Sequence, residues 1–117
     1  MIPHGVEIFV GFETIDLRWS FDRLAGIVEE RIGRDARSGA MFVFFGKRRC
    51  AIKVLFADMS GLCLFYKRLD KGTFRLPPPM DEHSKTVSID EHVLEALLDG
   101  LDIETQRVSA RPRVRVH

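Results

Sequence analysis

Three carboxylates, Asp16, Asp22 and Asp58, are the side chains that could hold Mg²⁺ for two-metal phosphoryl transfer. That chemistry needs acids converging on one point of a rigid sheet. Here Asp58 opens the turn Asp58-Met59-Ser60-Gly61, and Asp22 falls in the first turn of a predicted helix, where the macrodipole favours an acid. A metal nuclease is therefore the weakest reading. The histidines His4, His83, His92 and His117 are scattered, and none pairs with a Cys, Asp or Glu at metal-ligand spacing. No glycine-rich phosphate loop is present, and the serines sit at expected caps, turns and loops, outside any G-x-S-x-G elbow. Cys50 and Cys63 lie in apolar, strand-like surroundings and read as reduced thiols, not as a disulfide scaffold.

The cations make a stronger pattern. Lys47, Arg48 and Arg49 are consecutive on a predicted turn, and Lys53, Lys67, Arg68, Lys71 and Arg75 come from neighbouring strands and turns. Phosphate contact requires cations spread along a face, which a basic β-hairpin tip supplies. Tyr66, Phe65 or Phe74 could offer a base a stacking surface, although core packing is the simpler role for an aromatic in a strand. Arg18-Trp19, ahead of a helix, reads either as an exposed protein-contact anchor or as a staple packed at the helix start.

The net charge of +1 conceals a segregation. Residues 1–30 carry net −4, residues 31–79 net +8, residues 80–110 net −6, and residues 111–117 net +3. A basic centre between acidic flanks suits an anionic partner such as nucleic acid. It suits internal charge pairing equally well.

These side chains must be positioned by a small fold. A chain of 117 residues fits one domain, and its balance of 45% hydrophobic and 30% charged residues is globular, not disordered. No apolar run approaches the roughly 18 residues of a bilayer span. The opening Met1-Ile2-Pro3-His4-Gly5 lacks the order of a secretory signal, so a cytoplasmic protein is expected.

Residues 6–12 predict a strand. Ser20 is placed to cap a helix over about 21–32, where Phe21, Leu24, Ala25, Val28 and Ile32 form one stripe before Gly33 stops it. Three strands follow, over 41–45, 51–57 and 62–69, with a short fourth at 73–76. Their tight turns predict an antiparallel meander. With a turn at 58–61, Ala57 should face Leu62, Phe56 should face Cys63, and Lys53 should face Tyr66. Cys50 is then not opposite Cys63. Pro77-Pro78-Pro79 ends the sheet. A polar connector leads to Ser88-Ile89-Asp90-Glu91, which reads as a capping box for a helix over 89–99, stopped by Gly100. The tail reads either as disordered or as an Arg/Val edge strand. The expectation is an α+β domain, an antiparallel sheet of about four to six strands covered by two helices over residues 1–103, with a basic tail at 104–117.

Several segments together resemble a known family. Asp16-Leu17-Arg18-Trp19-Ser20-Phe21-Asp22-Arg23-Leu24 is similar to the D-x-R-x-[SG]-F-D-x-L signature of the TnpB accessory protein of insertion-sequence family sixty-six. Phe42-Val43-Phe44, Lys47-Arg48-Arg49, Ile52-Lys53-Val54-Leu55, Asp58, Gly61-Leu62-Cys63-Leu64, Tyr66-Lys67-Arg68-Leu69, Gly72 and Phe74 follow that family's order and spacing. Leu97-Leu98-Asp99-Gly100-Leu101-Asp102 resembles its closing segment, so the likeness spans about residues 3–103. The chain departs from the family at Arg18-Trp19, at Ala57-Asp58 and in the run Gly46-Lys47-Arg48-Arg49-Cys50. One cation and one large aromatic usual in the family are missing there.

The resemblance implies a non-catalytic bacterial protein, without cofactor, encoded beside a DDE-type transposase and needed for efficient movement of the element. Combined with the cations, it predicts contact with element DNA through Lys47, Arg48, Arg49, Lys53, Lys67 and Arg68. The alternative is an adaptor that binds the transposase through Arg18, Trp19 and the acidic second helix. No membrane or small-molecule partner is expected.

Overall fold

Met41-Phe42-Val43-Phe44-Phe45 is a run of five apolar residues, and all five are buried. Such a run marks a strand covered on both faces, because successive side chains point to opposite sides of a sheet. The computed structural model describes residues 2–75 and 85–100 and places this strand at the centre of a five-stranded sheet. The elements are β1 (Ile8–Gly11), α1 (Phe21–Ile27) with a π-helical extension (Val28–Ile32), β2 (Met41–Phe45), β3 (Ala51–Ala57), β4 (Leu62–Arg68), β5 (Thr86–Ile89) and α2 (Glu91–Leu98). The strand order is β4-β3-β2-β1-β5.

The two faces hold separate cores. Met41, Val43 and Phe45 of β2 join Ile52 and Val54 of β3, Ile8 and Val10 of β1, and Leu94 and Leu97 of α2. Phe42 and Phe44 turn the other way and join Leu55, Leu24, Ile27 and Val28 beneath α1. Burying each such aliphatic or aromatic side chain contributes roughly 1.5–3 kcal/mol. β2 and β3, which fill both cores, are thus the elements the fold can least lose.

The fold is α+β, as expected. The β2–β3–β4 meander is antiparallel and in the expected register: Ala57 faces Leu62, Phe56 faces Cys63, and Lys53 faces Tyr66. Both cysteines are free thiols. Gly33 ends the first helical segment with φ +74°, and Gly100 follows α2 with φ +80°, a conformation glycine adopts without a Cβ clash.

Four expectations need correction. β1 runs parallel to β2, so the sheet is mixed; α1 and its extension supply the crossover that parallel pairing requires. Ser20 occupies the N-cap position of α1, but its side chain makes no cap hydrogen bond. Residues 73–75 do not form a strand. Instead Phe74 tucks its ring beside Phe45, with 6.0 Å between ring centres, and its N–H donates to the Arg49 carbonyl. Ser88 is not a helix cap: it pairs with Phe9 in β5, which lies antiparallel to β1 on the far edge of the sheet. Asp90 caps α2, its Oδ1 accepting from the Val93 N–H at 2.9 Å. The helix therefore begins at Glu91 rather than residue 89. The proposed tail, residues 104–117, and Leu76 to Pro79 lie outside the described residues. Among the described residues no helix is long and apolar enough to cross a membrane.

Candidate nucleic-acid interface

The β2–β3 connection is a tight basic turn whose backbone is tied down while its side chains face water. The Gly46 N–H donates to the Ala51 carbonyl at 3.1 Å, and the Arg49 N–H donates to the Gly46 carbonyl at 2.9 Å. Arg49 takes up a left-handed conformation, φ +59°, uncommon outside glycine and turn residues. From the outer side, Leu69 donates to the Cys50 carbonyl and Phe74 to the Arg49 carbonyl. Residues 14–17 run alongside, with the Ile15 N–H bonded to the Phe45 carbonyl at 2.9 Å. They approach so closely that a Cβ on Gly46 would lie 2.9 Å from Leu17 Cγ. Gly46 is what lets the two segments touch.

Between these segments lies an open depression of about 830 Å³. Thr14, Ile15, Asp16 and Leu17 form one wall, residues 46–51 the other, and Arg68 joins from β4. Lys47, Arg48 and Arg49 are exposed, and none has an ion-pair partner among the described residues. The carboxylate in the wall, Asp16, is already engaged. Arg18 Nε and Nη2 donate to it at 3.0 and 2.6 Å, and the Arg18 N–H at 2.9 Å. The Arg18 side chain first, and its backbone N–H second, hold the Asp16 carboxyl down at about 2. Its negative charge is thus matched by Arg18 and not by the turn.

The six expected DNA contacts divide. Lys47, Arg48, Arg49 and Arg68 are gathered around the depression. Lys53 is withdrawn from it: the residue is only 5% exposed, on the α1 face of β3. Its ammonium donates to the carbonyls of Leu17 at 2.6 Å and Trp19 at 2.7 Å, and stands 5.0 Å from the centre of the Tyr66 ring. A buried ammonium must find such acceptors, so it is committed to holding the 17–19 segment against the sheet. Lys67 points to the opposite face and donates to the Leu98 carbonyl at 2.6 Å, at the end of α2, where unpaired carbonyls attract a cation. Lys71 and Arg75 line a separate depression with Asp99 and Gly100.

Arg18 is 89% exposed, although clasped to Asp16. Trp19 is half-buried against the α1-side core, with the Arg23 guanidinium 4.6 Å above its ring, and so acts as the packed staple. Asp58 plays its turn role: Oδ1 accepts from the Ser60 and Gly61 N–H groups at 2.9 Å each, which keeps the carboxyl below its ordinary range. His4 bonds Glu91 Oε2 at 3.0 Å, and His92 lies 3.8 Å from Glu95. Among the described residues no three His, Cys, Asp or Glu side chains converge as metal ligands. The sequence reading missed the Asp16–Arg18 clasp beside the basic turn, although the D-x-R spacing was its local signal.

Comparison with known proteins adds an independent line. The family described as IS66 Orf2-like protein matches residues 6–108. Two proteins of Sinorhizobium fredii are similar along nearly the whole chain. The uncharacterized protein y4hO is 33% identical over 114 residues, covering 96% of each chain. The uncharacterized protein y4jC is 30% identical over 108 residues, covering 92% of this chain and 88% of its own. No solved structure matches. With the motifs around Asp16, Lys47 and Tyr66 matched in order and the family's match spanning both cores and the basic turn, this chain belongs to the IS66 Orf2-like family of insertion-sequence proteins.

Proposed function

We propose that this protein is a non-catalytic accessory factor for transposition, acting beside a DDE-type transposase and contacting element DNA through the β2–β3 turn. The observation that carries the reading is the set of three consecutive cations, Lys47, Arg48 and Arg49, displayed on a backbone-anchored turn without carboxylate partners among the described residues. Arg68 adds a fourth cation from the neighbouring strand. Cations that make no internal pair stabilise little in the fold, and they release counterions when phosphates replace solvent. Family membership supports the transposition context.

A gel-shift or anisotropy titration with terminal inverted-repeat DNA tests this. Binding should weaken steeply as salt rises. Reversing Lys47, Arg48 and Arg49 to Glu should weaken it by roughly 100-fold or more at low salt without changing the fold. Undiminished binding by that triple variant would remove the site.

A second reading, an adaptor that grips the transposase without DNA, is favoured by one feature: Arg18 projects into solvent from an ordered clasp. Co-purification with the transposase that survives nuclease digestion, and is lost in Arg18→Ala, would support it.

A further inference from the structure

We infer that the nucleic acid this site takes is single-stranded, with an unpaired base stacked on Tyr66. The inference rests on the nucleic-acid reading above and specifies its ligand.

Tyr66 is the only tyrosine in the chain, and it is 46% exposed despite lying in a strand. It sits on β4, an edge strand, so among the described residues no further strand lies beyond it. Two contacts fix the ring. The buried Lys53 ammonium lies over it at 5.0 Å from the ring centre, and the Arg68 guanidinium donates to its hydroxyl at 3.2 Å. With Lys53 packed on one side, the ring's exposed surface faces solvent. Arg68 is also in the wall of the cationic depression. One residue thus links the aromatic ring to the phosphate-binding cluster.

The other exposed large apolar residues lack this arrangement. Phe65, its neighbour, points to the opposite face of the sheet. Met59 is a flexible side chain at a turn tip, and Phe21 begins α1. Among the exposed large apolar residues described, Tyr66 alone combines a π-face with a guanidinium at its edge.

This combination selects against duplex DNA. In a duplex both faces of each base are covered by neighbouring bases, and a protein ring reaches them only by unstacking a step. In a single strand the faces are free, and a pre-positioned aromatic beside a cationic track is the recurring means of holding them. Cations alone would favour a duplex, whose charge density is higher. The ring reverses that preference.

The test uses the full chain and labelled DNA of about 16 nucleotides, a length that spans a typical single-strand site, in single-stranded and duplex form. The single strand should bind more tightly. Tyr66→Ala should weaken single-strand binding roughly tenfold and duplex binding far less, while Tyr66→Phe should keep most of the single-strand affinity. Tyr66→Leu retains apolar bulk over Lys53 without a π-face, and should show the same roughly tenfold loss of single-strand binding in a folded protein. Duplex preference, or Tyr66→Leu binding single strands like the unaltered protein, overturns the stacking role and leaves the DNA reading intact. Failure to bind either form, or binding indifferent to charge reversal at Lys47, Arg48 and Arg49, removes the DNA reading and this inference together.

Discussion

Lys47 and Lys53 are six positions apart in the chain and have opposite fates. Lys47 stands on a turn, exposed, with no ion-pair partner among the described residues. Lys53 stands mid-strand, buried, with two backbone carbonyls and an aromatic ring around its ammonium. The difference follows from position. β3 is covered on both faces, so any polar side chain within it must reach an acceptor inside the protein. The turn is anchored through its backbone, so its side chains remain available to a partner. One cation is bound into the fold and the other is displayed to solvent.

The largest break in this comparison should come from Lys53→Ala. It strands the Leu17 and Trp19 carbonyls and opens a gap under Tyr66, a loss of roughly 3 kcal/mol. In a domain of this size that lowers the melting temperature by more than about 10 °C, whereas Lys47→Ala should leave it nearly unchanged in the same calorimetric scan. Equal melting temperatures for the two variants would erase the distinction drawn between them.

Lys67 is the intermediate case, half-buried and bonded to the end of α2. Lys67→Ala should cost about 1 kcal/mol, from one charge-assisted hydrogen bond and its interaction with the helix dipole. DNA affinity should fall far less than on reversal of the turn. A drop in affinity as large as that caused by Arg68→Ala would return Lys67 to the interface.

The smallest effect concerns Asp16. Its carboxyl is held at about 2, below the ordinary 3.8, chiefly by Arg18. A carboxyl depressed in the folded state contributes stability that is present above its unfolded value and is lost as pH falls through the folded one. The Asp16–Arg18 clasp should therefore hold at neutral pH and fade between about pH 4 and pH 2. Carbon-detected titration of the carboxyl reads this directly, and Arg18→Ala should return it toward 3.8. A carboxyl already titrating near 3.8 in the unaltered protein would mean that Arg18 does not hold it, leaving Asp16 free to oppose phosphate.

Much of this architecture was legible locally. The meander, its turns and the β3–β4 register follow from strand periodicity and from Asp58 and Gly61 at the ends of one turn. The basic turn was legible because three adjacent cations have no way to bury themselves together. β5 was not. Ser88 and Glu91 have the spacing of a capping box, and Asp90 offers a competing cap two residues on. Only pairing of Ser88 with Phe9 across the sheet decides between them. The exposure of the Tyr66 ring was not legible either, because it follows from the edge position of β4.

By itself, the sequence determined the family, the two helical regions, the antiparallel meander and the charged turn, because these depend on residue types at short spacing. Tertiary structure decided that β1 lies parallel to β2, that Lys53 and Lys67 turn inward while Arg68 joins Lys47, Arg48 and Arg49, and that Asp16 is clasped by Arg18. A lysine in a strand carries the same charge whichever acceptor lies within reach. Which carbonyl, ring or open water its ammonium meets is set by segments distant in the chain, and that meeting separates a cation bound within the fold from one left at the surface.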